Sequence, residues 1–144
     1  MQHSVGDVHE AIAAAMPERE ALVFRDRRIS WQELTLRTRR LANVLVTAGL
    51  GCHRERGETE PWESGQDHFA IYLHNGNEYL ECMLGAFKAR VAPFNVNYRY
   101  VAEELRYLLE DAGAKAIVFH SAFAPTLAEV LGSVAPMALL LQVP

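Results

Sequence analysis

The sequence predicts an α/β fold, a parallel βαβ layer with flanking helices. Three observations predict it. Short apolar runs recur at 69–73, 91–95, 116–120 and 138–143, as in strands buried on both faces. Amphipathic windows at 78–89, 101–112 and 123–131 lie between them, and strands alternating with helices of about ten residues form βαβ units in a parallel sheet. Turn residues mark the junctions: His74-Asn75-Gly76-Asn77 after the first run, Asn95 and Asn97 after the second, Gly113 before the third.

The elements follow in order. Val5, Val8, Ile12 and Ala15 share one face of a helix over 5–15, which Pro17 stops. Segments 21–25 and 27–30 read as a hairpin turning at Asp26–Arg27. Ser30-Trp31-Gln32-Glu33 fits a capping box, in which Ser30 and Glu33 each accept from the other's backbone N–H. The stripe Leu34, Leu41, Val44, Leu45, Ala48 continues that helix to Gly49 and Gly51, which supply its stop. Arg37, Arg39 and Arg40 read as its solvated face.

Residues 51–68 break all periodicity and form a long polar loop, of which 52–66 are expected to be the most mobile internal segment. Trp62 is its large apolar anchor. The βαβ core then spans 69–143. Either asparagine of the first turn is suited to cap the next helix, whose inward face is Tyr79, Leu80, Met83, Leu84 and Phe87. Leu105, Leu108 and Leu109 face inward on the following helix, with Tyr107 in the same cluster.

Composition excludes several classes. The 144 residues carry 14 basic and 18 acidic side chains, a net charge of −4, without the basic patch of an unselective nucleic-acid binder. No apolar run reaches the ~18 residues of a membrane span, and the N-terminus lacks the pattern of a secretory signal. A cytoplasmic setting with Cys52 and Cys82 reduced is expected. His53, His68, His74, His120 and Cys52 match no zinc spacing, so no metal site is assigned. No Gly-rich phosphate loop and no supported Ser–His–Asp constellation occurs, so no catalytic residue is assigned.

Three stretches share motifs with one family. LVFRDRRISWQEL, near the start, resembles an opening hairpin and Ser-aromatic-x-Glu-Leu helix start. FAIYLHNGNEYLECMLGAFKA resembles a strand, an Asn-rich turn and a helix ending in Lys-Ala. VAPFNVNYRYVAEELRYLLEDAGAKAIV resembles a strand, a Pro-x-Asn-Tyr/Phe-Arg loop and a Glu-Leu-x-Tyr helix closing in Asp-Ala-Gly-Ala. Together they resemble the N-terminal part of acyl-CoA synthetases in the adenylate-forming (AMP-binding) superfamily, with Asn95–Tyr100 similar to the fatty-acyl and steroid-acid type. Two departures stand out. Loop 51–68 is longer than the family's short link ending in Gly-Asp, whose end survives as Gly65-Gln66-Asp67, and Arg90 replaces a customary Gly.

The resemblance implies an ATP-dependent ligase that converts a fatty or steroid-type carboxylic acid to an acyl-adenylate and then to a coenzyme A thioester. ATP, Mg²⁺ and coenzyme A are implied for the full-length enzyme, and none for this segment alone. The family's phosphate loop, Thr-Glu segment and catalytic lysine have no counterpart here. Residues 1–144 are therefore expected to be an incomplete N-terminal part, inactive alone, whose partner is the remainder of the enzyme and whose open strand near 137–144 invites self-association.

Ligands bind at the C-terminal ends of strands in open α/β sheets. His74, Asn75, Asn95, Asn97 and His120 lie at such ends, although turn chemistry also accounts for the asparagines. Tyr98 and Arg99 are the substrate-binding candidates: the Arg99 guanidinium suits a phosphate of ATP or coenzyme A, or else pairs with Glu103 or Glu104. Lys88 and Lys115 read as solvated charges. Two further readings stay open, an amino-acid-activating segment and a free-standing flavodoxin-like binding module.

Overall fold

The computed structural model describes residues 4–144. The elements run α1 (Val5–Ala15), β1 (Glu20–Phe24), β2 (Arg27–Ser30), α2 (Trp31–Thr47), β3 (His68–Tyr72), α3 (Asn77–Lys88), β4 (Ala92–Asn95), α4 (Ala102–Asp111), β5 (Ala114–His120), α5 (Ala124–Leu131) and β6 (Leu139–Val143). Strands β1 and β2 pair antiparallel, joined at Arg25–Asp26 rather than at Asp26–Arg27. The other four form one all-parallel sheet in the order β4-β3-β5-β6. The parallel layer predicted for 69–143 is thus present, with each helix within two residues of its predicted span.

Alternation along β3 builds both cores. Phe69, Ile71 and Leu73 point to one face, against Ala42 and Leu45 of α2, Cys82 and Ala86 of α3, and Ala89 at its C-cap. Ala70 and Tyr72 point to the other, against Leu105 and Leu109 of α4 and Leu127 and Val130 of α5. A strand buried on both faces needs no polar alternation, which explains its continuous apolar sequence.

Helix ends obey local rules. Ser4 accepts from the Asp7 N–H while the Asp7 carboxylate accepts from the Ser4 N–H, a reciprocal cap on α1. Ser30 accepts from the Glu33 N–H, but the expected return bond gives way to a contact between the Glu33 carboxylate and Arg27 at 3.8 Å. Neither asparagine caps α3: Gly76 holds the N-cap, and Asn77 donates to Glu81. Gly49 (φ 82°) closes α2, with Gly49 N–H on Val46 O and Leu50 N–H on Leu45 O, so two otherwise unpaired carbonyls are satisfied.

Four helix faces differ from expectation. In α1 the buried residues are Gly6, His9 and Ala13, while Val5 and Val8 are more than half exposed. In α3 the buried residues are Asn77, Glu81, Cys82, Gly85 and Ala86, and Leu80 is exposed. Small residues bring α3 close to α2, and the charged neighbours pair across that contact. Val44 on α2 and Tyr107 on α4 are exposed rather than core. The arginine face of α2 is not simply solvated either: Arg37 grips Glu81 through two nitrogens at 2.8 Å, and Arg39 pairs with Glu10.

The polar loop is held at its neck. Cys52 bridges Gln66, the N–H groups of His53 and Arg54 both donate to Gly65 O, and the Asp67 N–H donates to Gly51 O. Gly65 is required there, because a Cβ would lie 1.9 Å from Arg54 O. Trp62 is 81% exposed and anchors nothing. Arg90 does that work: its guanidinium binds Glu55 at 2.7 and 2.8 Å, and its carbonyl accepts from the Gln66 side chain at 2.8 Å.

Candidate functional site

A parallel sheet carries all its strand C-termini to one edge, and the chemistry-bearing loops gather there. β3 delivers His74, β4 delivers the 96–101 loop, β5 delivers His120 and the short helical turn Ser121–Phe123, and β6 ends at Val143. The strand order therefore sets Tyr98, His74, His120 and Val143 side by side.

Their rings make a ladder from core to solvent. Tyr72, 1% exposed, stacks on Phe123 with centroids 4.6 Å apart. Phe123 lies 4.6 Å from His74, which lies 5.2 Å from Tyr98 and 5.1 Å from His120. The Arg99 guanidinium rests 5.5 Å from the Tyr98 ring centroid, within cation–π reach. Burial pushes the Tyr72 phenol above its usual range, and a hydrogen bond with Thr126 opposes that. It stays a neutral hydroxyl at the base of the ladder.

The backbone holds the two candidates in place. Asn97 Oδ1 accepts from the Arg99 N–H at 3.0 Å, and the Tyr100 N–H donates to Asn97 O. Val96 N–H donates to Ile71 O at 2.9 Å, extending the β3–β4 ladder into the loop. The carboxylates considered as partners of Arg99 are engaged elsewhere: Glu104 accepts from the Val101 N–H, and Glu103 binds Arg106. Arg99 has no carboxylate within ion-pair distance among the described residues. The alternative pairing of Arg99 with Glu103 or Glu104 is not formed in this structure.

Beside the ladder a cavity of about 260 Å³ is lined by Phe24, Arg25, His74, Asn75, Glu78 and His120, among others. Arg25 comes from the β1–β2 turn at φ 53° and rests on the Phe24 ring. His120 Nδ1 accepts from the Ala122 N–H. The edge thus offers aromatic faces between two guanidiniums, Arg25 and Arg99, neither of which has a carboxylate within ion-pair distance among the described residues. Such a surface suits a planar or anionic ligand; it holds no activated nucleophile.

The sequence located His74, His120, Tyr98 and Arg99 at this edge, and the structure brings them together. Asn97 serves the turn, and Asn95 is the exposed last residue of β4. Tyr72, Phe123 and Arg25 were missed. The alternation of β3 carried a signal for Tyr72, whereas Phe123 and Arg25 reach the edge only through tertiary packing. Lys115 is exposed as read. Lys88 is not: its side chain is 7% exposed and bonded to Glu10.

Comparison with known proteins gives a consistent result. The profile of the family described as AMP-binding enzyme matches residues 9–142. The medium-chain acyl-CoA ligase Mig of Mycobacterium avium is 49% identical over 140 residues, covering 97% of this chain and 26% of that protein. The 3-oxocholest-4-en-26-oate–CoA ligase of Rhodococcus rhodochrous is 34% identical over 92% of this chain and 22% of its own length. Among solved structures, a putative long-chain-fatty-acid CoA ligase from Rhodopseudomonas palustris superposes with a TM-score of 0.84 at 23% identity, over 99% of this chain and 33% of that one. The inhibitor-bound N-terminal domain of FACL13 from Mycobacterium tuberculosis gives 0.81 at 20%, over 99% and 34%. The chain spans about a quarter of the length of the curated relatives it matches.

Proposed function

The chain belongs to the AMP-binding enzyme family, and we propose that it forms the N-terminal α/β layer of an ATP-dependent acyl-CoA ligase acting on a fatty or steroid-type carboxylic acid. In this reading the acid is first joined to AMP with release of pyrophosphate, and coenzyme A then displaces AMP to give the thioester. The supporting observation is the 49% identity to a medium-chain acyl-CoA ligase across 97% of the chain. The family match removes the free-standing flavodoxin-like module from consideration. The steroid-acid ligase match supports a bulky apolar acid equally well, so the acid class stays at that breadth. The setting is cytoplasmic in this proposal; no helix among the described residues is long and apolar enough to cross a membrane.

The role assigned to this chain is binding rather than chemistry. Tyr98, His74 and Phe123 wall one side of the site for acid or coenzyme A, and Arg99 meets a phosphate there, since a guanidinium fork matches phosphate oxygens. Among the described residues no three His, Cys, Asp or Glu side chains converge. No step is therefore assigned to a metal held by this segment.

The test is equilibrium binding of coenzyme A to the 144-residue chain, paired with pyrophosphate release in the presence of ATP, Mg²⁺ and a panel of fatty and steroid acids. Binding that weakens about tenfold or more in Arg99→Ala supports the assigned role, that being the loss of one charge-assisted contact of about 1.5 kcal/mol. Equal binding by wild type and Arg99→Ala refutes it. No turnover by the chain alone is expected, and turnover that survives repurification would place catalysis in this segment.

A further inference from the structure

Away from the sheet edge, α1 is fastened to α2 and α3 by a cluster that the proposed reaction does not use. Gly6 lies so close to α3 that a Cβ there would be 3.3 Å from Lys88 Cγ. One turn on, Glu10 bridges two helices, its carboxylate accepting from Arg39 of α2 and from Lys88 of α3. Between these contacts His9 is 4% exposed, with its ring 5.5 Å from that of Trp31, the first residue of α2. Both His9 ring nitrogens are buried without a hydrogen-bond partner among the described residues.

We propose that α1 is an acid-released strap: protonation of His9 unseats it from α2 and α3. A neutral imidazole is tolerated in this seat. An imidazolium would be a buried charge with no acceptor on either N–H. The charged groups facing it are Glu10 on its own helix, Arg39 from α2 and Lys88 from α3. Two of the three are cations, and the lone carboxylate is already shared between them. Asp7 and Arg90 line the adjoining groove of about 690 Å³.

The direction of titration agrees with the geometry. Burial, then the Lys88 and Arg39 charges, hold the His9 imidazole below its usual 6.5, with Glu10 opposing. A group depressed in the folded state lends stability that is present above pH 6.5 and lost as pH falls through its folded value. Glu10 is held at about 2, chiefly by Arg39, so it remains ionised throughout and the change belongs to His9. Opening of α1 would bare Phe87, Lys88, Ala42 and Asn43 along the groove, leaving the sheet edge undisturbed.

Amide exchange of the 144-residue chain between pH 7.5 and 5, corrected for intrinsic rates, tests this, with β5 amides as internal reference. Protection of α1 should fall below pH 6.5 by up to about tenfold per pH unit, the limit for one proton, while β5 keeps its protection. In His9→Phe the α1 profile should be flat. His9→Gln, also unable to titrate, serves if the phenylalanine variant does not fold. Either variant keeping the wild-type slope, or a flat profile in the wild type, overturns the proposal.

Discussion

Gly85 sits where α3 comes closest to α2, and replacing it with alanine sets two effects of known size against each other. Alanine in a helix interior is favoured over glycine by about 1 kcal/mol. The added Cβ, however, would lie 2.8 Å from Leu41 Cδ2 and 3.0 Å from Leu41 Cβ and Cγ, against the ~3.5–4.0 Å at which carbon atoms normally rest. Cδ2 can rotate away, but Cβ cannot unless the helix moves. Overpacking of this kind costs about 1–3 kcal/mol. The net expectation is a loss of about 1 kcal/mol, or roughly 3 °C in Tm for a chain of this size. The assay is urea unfolding of Gly85→Ala, Leu41→Ala and the double variant. Removing the Leu41 side chain should relieve the clash, so the double variant should be more stable than the summed losses by at least about 0.5 kcal/mol. A single Gly85→Ala variant more stable than wild type by the full helix-propensity gain, with no coupling to Leu41, would refute the close approach of α2 and α3.

Other expectations follow from the same contacts. Burial, then the Glu81 and Glu78 carboxylates, push the Cys82 thiol to about 12, so at neutral pH an aromatic disulfide reagent should label Cys52 in the folded chain and reach Cys82 only on unfolding. Loop 52–66 should exchange its amides faster than the sheet, and Arg90→Gly should quicken exchange at its neck by cutting the link to Glu55; unchanged rates in that variant would remove Arg90 as the anchor. Strand β6 leaves one edge unpaired with Leu140 nearly half exposed, and such edges pair with other chains. Leu140→Lys should therefore lessen self-association in sedimentation, and a wild type monomeric at high concentration would contradict this.

The sheet was legible because its signal is local and redundant. Val91 to Asn95 or Ala116 to His120 can be little else than a buried strand when turn residues bound them and helices alternate with them. The edge followed, since parallel topology alone puts His74, Tyr98 and His120 together. Helix faces were less legible where close approach replaced apolar bulk. On α1 the sequence offers Val5 and Val8, yet the packed face is Gly6, His9 and Ala13, because proximity to Lys88 favours a residue without a side chain. On α3 the contact selects Gly85 and Ala86 and buries Glu81, which is tolerable only because Arg37 and Asn77 satisfy it. Periodicity counts apolar residues and has no view of pairs such as Glu81–Arg37, formed between positions 44 residues apart. The missed site residues share that cause: Arg25 lines the cavity by virtue of the hairpin's placement.

Arg90 and the long polar loop hold one another in place. Helix α3 ends with Arg90 N–H on Phe87 O and Val91 N–H on Ala86 O, a closure that forces residue 90 to φ 58°. Side chains other than glycine's are disfavoured in that conformation. An arginine is tolerable at this position if its side chain gains something specific, and it does: a two-point grip on Glu55, which belongs to the extended loop. The grip acts in the other direction as well. It lowers the Glu55 carboxylate below its usual range and raises the Arg90 guanidinium above its own, so both remain ionised across ordinary pH and the contact does not titrate away. Without Glu55, Arg90 would keep its backbone strain with no such contact to offset it. With glycine at 90 the loop would lose the Glu55 ion pair to the body of the fold. The arginine in a left-handed helix end and the loop it grips are thus one structural unit, the strain at residue 90 being offset by the contact with Glu55.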